Sequence, residues 1–175
     1  PYVPLCAYSD ASWADDPDDR TSRAGIMLWS WGGPIEWRSN RQKSQALSSC
    51  EAEDMAASTC TQAVAWGTRL CREFGYEDLG IRDGENVATE QEMEGHRPVV
   101  IYEDNSGCIE WSKNPVDHQR AKHIDLRYHY VRAKVRPGEV KLVHCPTDEM
   151  MADLLTKYLS APRFAYLRDK MLAVE

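Results

Sequence analysis

The sequence predicts an α/β domain with a mixed five-stranded sheet, three antiparallel strands followed by two parallel ones, flanked by helices. Two short runs, residues 3–8 and 99–102, are apolar on both alternating phases, as strands covered on both faces are. Residues 46–74 contain no proline and one glycine, and their apolar positions recur at helical spacing. Strands that alternate with helices in this order indicate a sheet with helices on its faces.

The first half of the chain supplies three strands and one long helix. After the strand at 3–8, the stretch GIMLWSWGGPIEW at 25–37 predicts a hairpin, because Gly32 and Gly33 can both take positive φ in its turn. The amphipathic helix at 46–74 follows. Residues 76–97 are acidic, contain glycine and show no period, so we expect a flexible insertion that carries no chemistry.

The second half repeats the pattern of a buried strand followed by a helix. The strand at 99–102 leads into a helix that Asp104 or Asn105 could cap. A further helix is expected over 121–135, ended by Pro137 and Gly138, and then a strand in EVKLVHCPT. Thr147 could cap a helix through DEMMADLLTKYL, and a last helix should begin at Pro162.

Length and composition narrow the class of protein. With 175 residues the chain suits one domain, over residues 1–175. No apolar run approaches the roughly 20 residues of a membrane helix, and we expect neither a membrane partner nor a signal peptide. The six cysteines lack CxxC spacing, which predicts reduced intracellular thiols and no zinc site. A net charge of −7 argues against strong unaided binding to nucleic acid.

Four acids are candidates for chemistry, and each has a structural alternative. Asp10 and Asp104 follow strands, where ligands gather in such sheets, yet they could simply end strands or cap helices. Glu51 stands three residues after Ser48 and could complete a capping box, and periodicity does not choose between it and Glu53. Asp153 is an acid among apolar residues of an expected helix, which suggests a metal or a partner.

Five motifs, in order along most of the chain, resemble one family, the ribonuclease H domain of copia-type LTR retrotransposon Pol polyproteins. YSDASWADDPDDRTSRAG resembles the opening of that domain. ALSSCEAEDMA is similar to its signature SSTEAEYMA, and IYEDNSGCIEWSKNP to CDNQSAIALAKNP. KHIDLRYHYVR and ADLLTK are nearly as the family has them. The resemblance selects Glu51 over Glu53, and implies that Asp10, Glu51, Asp104 and Asp153 are the active-site carboxylates.

That resemblance also implies an activity, a cofactor and partners. We expect a ribonuclease H that hydrolyses the RNA strand of RNA/DNA hybrids during reverse transcription, with two Mg²⁺ ions that Mn²⁺ can replace. By analogy Asp10 bridges the ions, Glu51 and Asp104 hold the ion at the leaving oxygen, and Asp153 holds the ion that activates water. The expected partners are the hybrid and the reverse transcriptase domain of the same polyprotein. The expected location is intracellular, in cytoplasmic virus-like particles.

Substrate contacts are predicted less sharply. Basic residues near the long helix and later in the chain could contact phosphates, and small polar residues near the acids could contact 2′-hydroxyls, which distinguish RNA. An ordinary charged surface explains the basic residues equally well. The candidates are Ser12, Arg38, Arg41, Lys43, Asn105, Ser106 and Lys122.

Two other classes of protein remain open on the sequence. One is a degenerate or domesticated copy that acts as a structural module, although all four acids are present. The other is a different metal-dependent nuclease on the same fold, such as an integrase or a junction resolvase.

Overall fold

A computed structural model of the chain describes residues 3–80, 97–113 and 122–172, without the side chains of 122–125 and 128. Strand β1 (Leu5–Ser12) lies at the centre of a five-stranded sheet of order β3-β2-β1-β4-β5. β2 (Arg23–Ser30) and β3 (Gly33–Arg41) continue from it antiparallel, and β4 (Val99–Glu103) and β5 (Val140–His144) continue parallel on the other side. This is the predicted mixed sheet.

In the described part of the chain, four helices accompany the sheet, and the longest forms the core with it. Helix α1 (Ser49–Glu73) packs on β1 and β2, and Gly67 lets it come close, since a Cβ there would lie 2.6 Å from Leu28 Cδ2. α2 (Ser106–Lys113) and α3 (Lys122–Val135) lie between β4 and β5 in sequence, and α4 (Ala161–Leu172) follows β5. The main core joins Leu5, Ala7, Ile26, Leu28, Ala57, Cys60, Val64 and Ile101.

A second apolar cluster covers part of the sheet at β1 and β4. Tyr8 and Tyr102 stack with ring centroids 4.8 Å apart, and they pack against Cys145, Met150 and Ala152. Burial first, and then the neighbouring ionisable groups, raise the pKa of Tyr8 well above its usual range. Both sides of the central strand are therefore covered, as its apolar sequence predicts.

The hairpin forms one residue earlier than predicted. Trp31 and Gly32 carry the positive φ values, 51° and 78°, while Gly33 already belongs to β3. A two-residue turn with both φ values positive matches the twist of the flanking strands. The turn thus holds a tryptophan in a conformation that favours glycine.

Other differences from the predicted elements concern strand and helix ends. β1 continues to Ser12, because Asp10, Ala11 and Ser12 still pair with β2. The helix expected after Thr147 is replaced by two 3₁₀ segments, Thr147–Glu149 and Met151–Leu155. α4 begins at Ala161, beside the predicted Pro162.

The insertion expected at 76–97 falls mostly at residues 81–96, outside the described residues. Its described beginning is packed on the domain, since Leu79 is buried in the core and its carbonyl accepts the N–H of Leu5, 2.9 Å away. Among the described helices, none is both long and apolar enough to cross a bilayer.

Candidate active site

Asp10 lies inside the central strand, and it is completely buried. It pairs in register with Gly25 of β2. A Cβ at Gly25 would lie 2.6 Å from Thr156 Cγ2 and 3.0 Å from the Ala152 carbonyl oxygen. A glycine at this position therefore allows the 3₁₀ segment to approach the strand beside Asp10. The Thr156 hydroxyl donates to Asp10 Oδ2.

Asp153 reaches the same place from the second 3₁₀ segment. It is fully buried, as expected of an acid among apolar residues that faces other polar groups. Lys157 Nζ donates to Asp153 Oδ1 at 2.6 Å and to Asp10 Oδ1 at 2.9 Å, and Arg163 donates to Asp153 Oδ2. Two protein cations therefore stabilise this pair of carboxylates.

Asp104 follows β4 and completes a group of three. One carboxylate oxygen each from Asp10, Asp104 and Asp153 lies within 4.8 Å of the others. Asp104 is partly exposed, and its Oδ2 accepts a hydrogen bond from the Thr147 hydroxyl at 3.0 Å. The helix after it is capped by Asn105, whose Oδ1 accepts the Cys108 N–H at 3.1 Å. The adjacent ends of β1 and β4 thus bring two of the expected acids together.

Glu51 does not join this group. Its Oε2 accepts the N–H of Leu47 at 2.6 Å, and its own N–H bonds to the Ser48 hydroxyl at 3.2 Å. The Ser48 bond caps α1, but the Glu51 carboxylate bonds to the residue before the cap and not to the Ser48 N–H, so these bonds match only half of a capping box. Among the described acids, the groups close enough to share a cation do not include Glu51. In this structure Glu51 therefore bonds at the start of α1 and lies in neither group of converging acids.

Glu53 is the glutamate that faces the other acids. It is 6% exposed, and its carboxylate lies within 4.8 Å of those of Glu103 and Asp104. Burial, followed by the charges of Asp10 and Asp104, raises the pKa of Glu53 to about 9, although Lys157 and the Ala11 N–H act in the opposite direction. The resemblance had selected the other glutamate of the same motif.

The electrostatics of the site follow from burial of like charges. Burial raises the pKa of Asp153, with Lys157 opposing and Asp10 adding to the rise. Burial alone would lower the pKa of Lys157, but the charge of Asp10 and the bonds to both aspartates raise it well above the usual range. Asp153 and Glu53 therefore resist ionisation more than ordinary carboxylates do.

The donor set suits hard divalent cations. The members of both acid groups are carboxylates, with neither thiolate nor imidazole, and oxygen is what Mg²⁺ and Mn²⁺ prefer. Glu53 Oε2 is buried and has no hydrogen-bond partner. A cation at these oxygens would satisfy that atom and offset the repulsion that raises the Glu53 pKa.

The predicted substrate contacts are distributed unevenly. Ser12 ends β1, and its hydroxyl is buried without a hydrogen-bond partner. Asn105 caps α2, and Ser106 is exposed at its first position. These three residues lie close to Asp10 or Asp104 along the chain, and their contacts with substrate stay a prediction.

The basic candidates are mostly paired or lie elsewhere. Arg38 pairs with Glu36, and Arg41 pairs with Asp19 and lies 3.3 Å from Asp16. Lys43 is exposed, and the side chain of Lys122 lies outside the described part of the chain. Both arginines lie on β3, and Arg41 is paired with acids of the loop between β1 and β2. Their bonds to acids compete with phosphate contacts.

Sequence relatives decide the family. The chain is 38% identical over 167 residues, 95% of its length, to the "Retrovirus-related Pol polyprotein from transposon RE1" of Arabidopsis thaliana. It is 34% identical over 165 residues to that from transposon TNT 1-94 of Nicotiana tabacum. This chain belongs with the copia-type Pol polyproteins. It spans about a tenth of the length of these relatives. No family model matches the chain.

Solved structures give the fold of this segment of Pol. RNase H1 from the archaeon Halobacterium salinarum superposes with a TM-score of 0.54 at 15% identity, covering 89% of this chain and 95% of that one. LC11-RNase H1, isolated from compost and solved with an RNA/DNA hybrid, superposes with a TM-score of 0.53 at 13% identity, covering 87% and 93%. The Pol segment therefore has the ribonuclease H fold, which confirms the predicted fold class.

Four residues that lie among these acids were not predicted as site residues from the sequence: Glu53, Glu103, Lys157 and Arg163. One signal was available for the first, because Ser48 already provided a capping role for Glu51 and left Glu53 free to face the sheet. The two cations had no such signal, because their pairing with buried aspartates depends on how the 3₁₀ segment and α4 fold back.

Proposed function

We propose that this Pol segment is a metal-dependent ribonuclease H that hydrolyses the RNA strand of RNA/DNA hybrids during reverse transcription, leaving 3′-hydroxyl and 5′-phosphate ends. The observation that carries the proposal is the convergence of Asp10, Asp104 and Asp153 within 4.8 Å, with Glu53 beside them, on a ribonuclease H fold. Hydrolysis of a phosphodiester by water needs an activated nucleophile and stabilisation of the developing negative charge. Paired divalent ions supply both when bound.

In this proposal Asp10, Glu53, Asp104 and Asp153 hold two Mg²⁺ ions, which Mn²⁺ can replace. Asp104 belongs to both groups of acids, so it is the member best placed to serve both ions. Thr156 and Thr147 orient Asp10 and Asp104 by donating to their Oδ2 atoms. Glu51 keeps its capping role, and Glu53 replaces it in the ligand set.

The remaining residues bind and position substrate. The Ser12 hydroxyl, together with Asn105 and Ser106, would contact 2′-hydroxyls or the backbone of the RNA strand next to the acids. Lys157 bonds to both Asp10 and Asp153, and its side chain is partly exposed, so it can contact a phosphate once these carboxylates are otherwise paired. The polymerase domain of the same polyprotein would supply further phosphate contacts, in intracellular virus-like particles.

A cleavage assay tests the proposal directly. The protein is incubated with an RNA/DNA hybrid labelled on the RNA strand, and with duplex DNA and duplex RNA as controls, in Mg²⁺, Mn²⁺, Ca²⁺ or EDTA. We expect cleavage of the hybrid alone, with Mg²⁺ or Mn²⁺ but not with Ca²⁺, whose longer bonds and looser geometry bind without supporting reaction. Asp10→Asn should abolish it. Cleavage in EDTA would exclude the metal mechanism.

The degenerate structural module and the alternative nuclease make different predictions in this assay. A degenerate copy would leave every substrate intact in all four conditions. A nuclease of another type on the same fold would cut duplex DNA. Hybrid-specific cleavage therefore separates the three interpretations.

A further inference from the structure

A fifth carboxylate, Glu103, lies next to the proposed ligands. It is the last residue of β4, it is 0% exposed, and its Oε1 accepts the Asn105 N–H at 3.2 Å. Its Oε2 is buried and has no hydrogen-bond partner, and the same holds for Oε2 of Glu53, which is 6% exposed. Buried polar atoms without a partner are rare in folded proteins and indicate a missing water, proton or ion.

The unpartnered oxygens belong to one compact group. One carboxylate oxygen each from Glu53, Glu103 and Asp104 lies within 4.8 Å of the others. Glu103 stands where the motif CDNQSA has its cysteine, so this acid comes in addition to the four that the resemblance implies. It extends the site inward, beneath α1, where Cys60 and Cys108 are also buried.

Charge is compensated differently in the two groups of acids. Asp10 and Asp153 are bound by Lys157 and Arg163, whereas the ion pairs of the described residues include none to Glu53, Glu103 or Asp104. Two buried glutamates and the partly exposed Asp104, with no ion pair to any of them among the described residues, are costly to ionise together. A cation from solution is the partner that would satisfy the unpaired oxygens and the charge together.

We infer that Glu53, Glu103 and Asp104 form a divalent-cation site in which Glu103 is a ligand beyond the four predicted acids. The inference rests on the proposed function, because it adds a residue to the same active site. Mg²⁺ in nucleotide-processing sites usually takes one or two protein carboxylates and completes its shell with substrate phosphate and water. A third carboxylate replaces part of what the substrate would supply, so this site retains a divalent ion before the hybrid binds.

Titration with Mn²⁺ in the absence of nucleic acid tests the inference. Free Mn²⁺ is measured by electron paramagnetic resonance for the wild type, Glu103→Gln and Glu51→Gln. Glu51→Gln is the matched control, because it removes one acid at the start of α1, outside the group. We expect the wild type and the control to bind Mn²⁺ alike, and Glu103→Gln to bind at least about tenfold more weakly or to lose one ion.

A second variant guards against misfolding. Glu103→Met removes the unpaired oxygen with little change in volume, so it should unfold cooperatively at a temperature no lower than the wild type in EDTA, while it loses Mn²⁺ affinity as Glu103→Gln does. A proton shared between the two glutamates, or a buried water, predicts instead that both variants bind Mn²⁺ as the wild type does. That result, or a wild type that binds no Mn²⁺ without nucleic acid, overturns the inference.

The hybrid-cleavage assay is run on the same preparations. If the wild type fails to cut the hybrid, the proposed function fails whatever the Mn²⁺ titration shows. If the wild type cuts while Glu103→Gln retains full Mn²⁺ binding, only the role of Glu103 is refuted. The two failures are therefore distinguishable.

Discussion

Replacing Glu53 and Glu51 one at a time by glutamine tests which of the two glutamates serves the proposed active site. Both substitutions remove one ionisable carboxyl group and keep the side-chain length, and the two residues are one helical half-turn apart in α1. Glu51→Gln can still accept the Leu47 N–H, because the glutamine side chain keeps an acceptor oxygen. Glu53→Gln removes a carboxylate from the group near Asp104.

The structure gives the sign and size of the stability changes. The pKa of Glu53 is raised from an ordinary value of 4.5 to about 9, so at pH 7 the folded state holds a proton that the unfolded state has released. The interval from 4.5 to 7 is about 2.5 pH units, and each is worth about 1.4 kcal/mol. Glu53→Gln should therefore raise the free energy of unfolding in EDTA by up to roughly 3 to 4 kcal/mol. Glu51→Gln should lower it by less than about 1 kcal/mol, through the lost charge at the helix start.

Activity should change in the opposite sense. We expect Glu53→Gln to slow hybrid cleavage by at least about 100-fold, because a carboxylate proposed to hold a divalent ion is lost. Glu51→Gln should retain cleavage within about threefold. Initial rates on labelled hybrid at saturating Mg²⁺, with urea denaturation of the same preparations, measure both quantities. Near wild-type turnover by Glu53→Gln, or its loss in Glu51→Gln, would refute the reasoning.

Three further predictions concern pH, Lys157 and salt. Without divalent ions, the raised Glu53 pKa makes the free energy of unfolding fall as pH rises from 4.5 to 9, by at most about 1.4 kcal/mol per pH unit from this group. Urea titrations at several pH values should therefore show a smaller change of this free energy with pH in Glu53→Gln than in the wild type. Lys157→Met removes a cation from Asp10 and Asp153, so it should lower the free energy of unfolding in EDTA by on the order of 3 kcal/mol. Added Mn²⁺ should raise the melting temperature of this variant more than that of the wild type. An equal rise would contradict competition between the metal ion and the Lys157 ammonium. The net charge is −7, and Arg38 and Arg41 are paired with acids, so the protein should contact only two or three phosphates of a hybrid. Binding measured with Asp10→Asn should give a slope of about −2 to −3 in log K against log salt. Nanomolar affinity near physiological salt would contradict this prediction.

The fold was predictable because its signals are local and repeated. Short runs that are apolar on both alternating phases marked β1 and β4, and an uninterrupted helical period marked α1. The errors lie where tertiary contacts override local preference. Pairing with β2 extends β1 past Asp10, and burial of Met150 and Asp153 against the sheet shapes the chain after Thr147 into 3₁₀ segments rather than a regular helix.

The site was predictable only where position along a strand fixes position in space. Asp10 and Asp104 meet because β1 and β4 are parallel neighbours, a consequence of topology. Position on a helix is less decisive, since residues 51 and 53 of one motif differ by about 200° around the axis. Which of them faces the sheet depends on where the helix starts. The structure settles that start through the Ser48 cap.

The acids that are proposed to bind metal also make the domain less stable. Glu53, Glu103 and Asp153 all have pKa values raised by burial, so at neutral pH each lowers the stability of the fold relative to an apolar residue of similar volume. Lys157 and Arg163 offset part of this cost, but only on the side of Asp10 and Asp153. The Glu53 side has no protein cation among the described ion pairs, so its stability depends on ions from solution. Binding of such an ion to the folded state alone stabilises it in proportion to the logarithm of ion concentration. If these carboxylates hold divalent ions as proposed, folding and ion binding are linked through them.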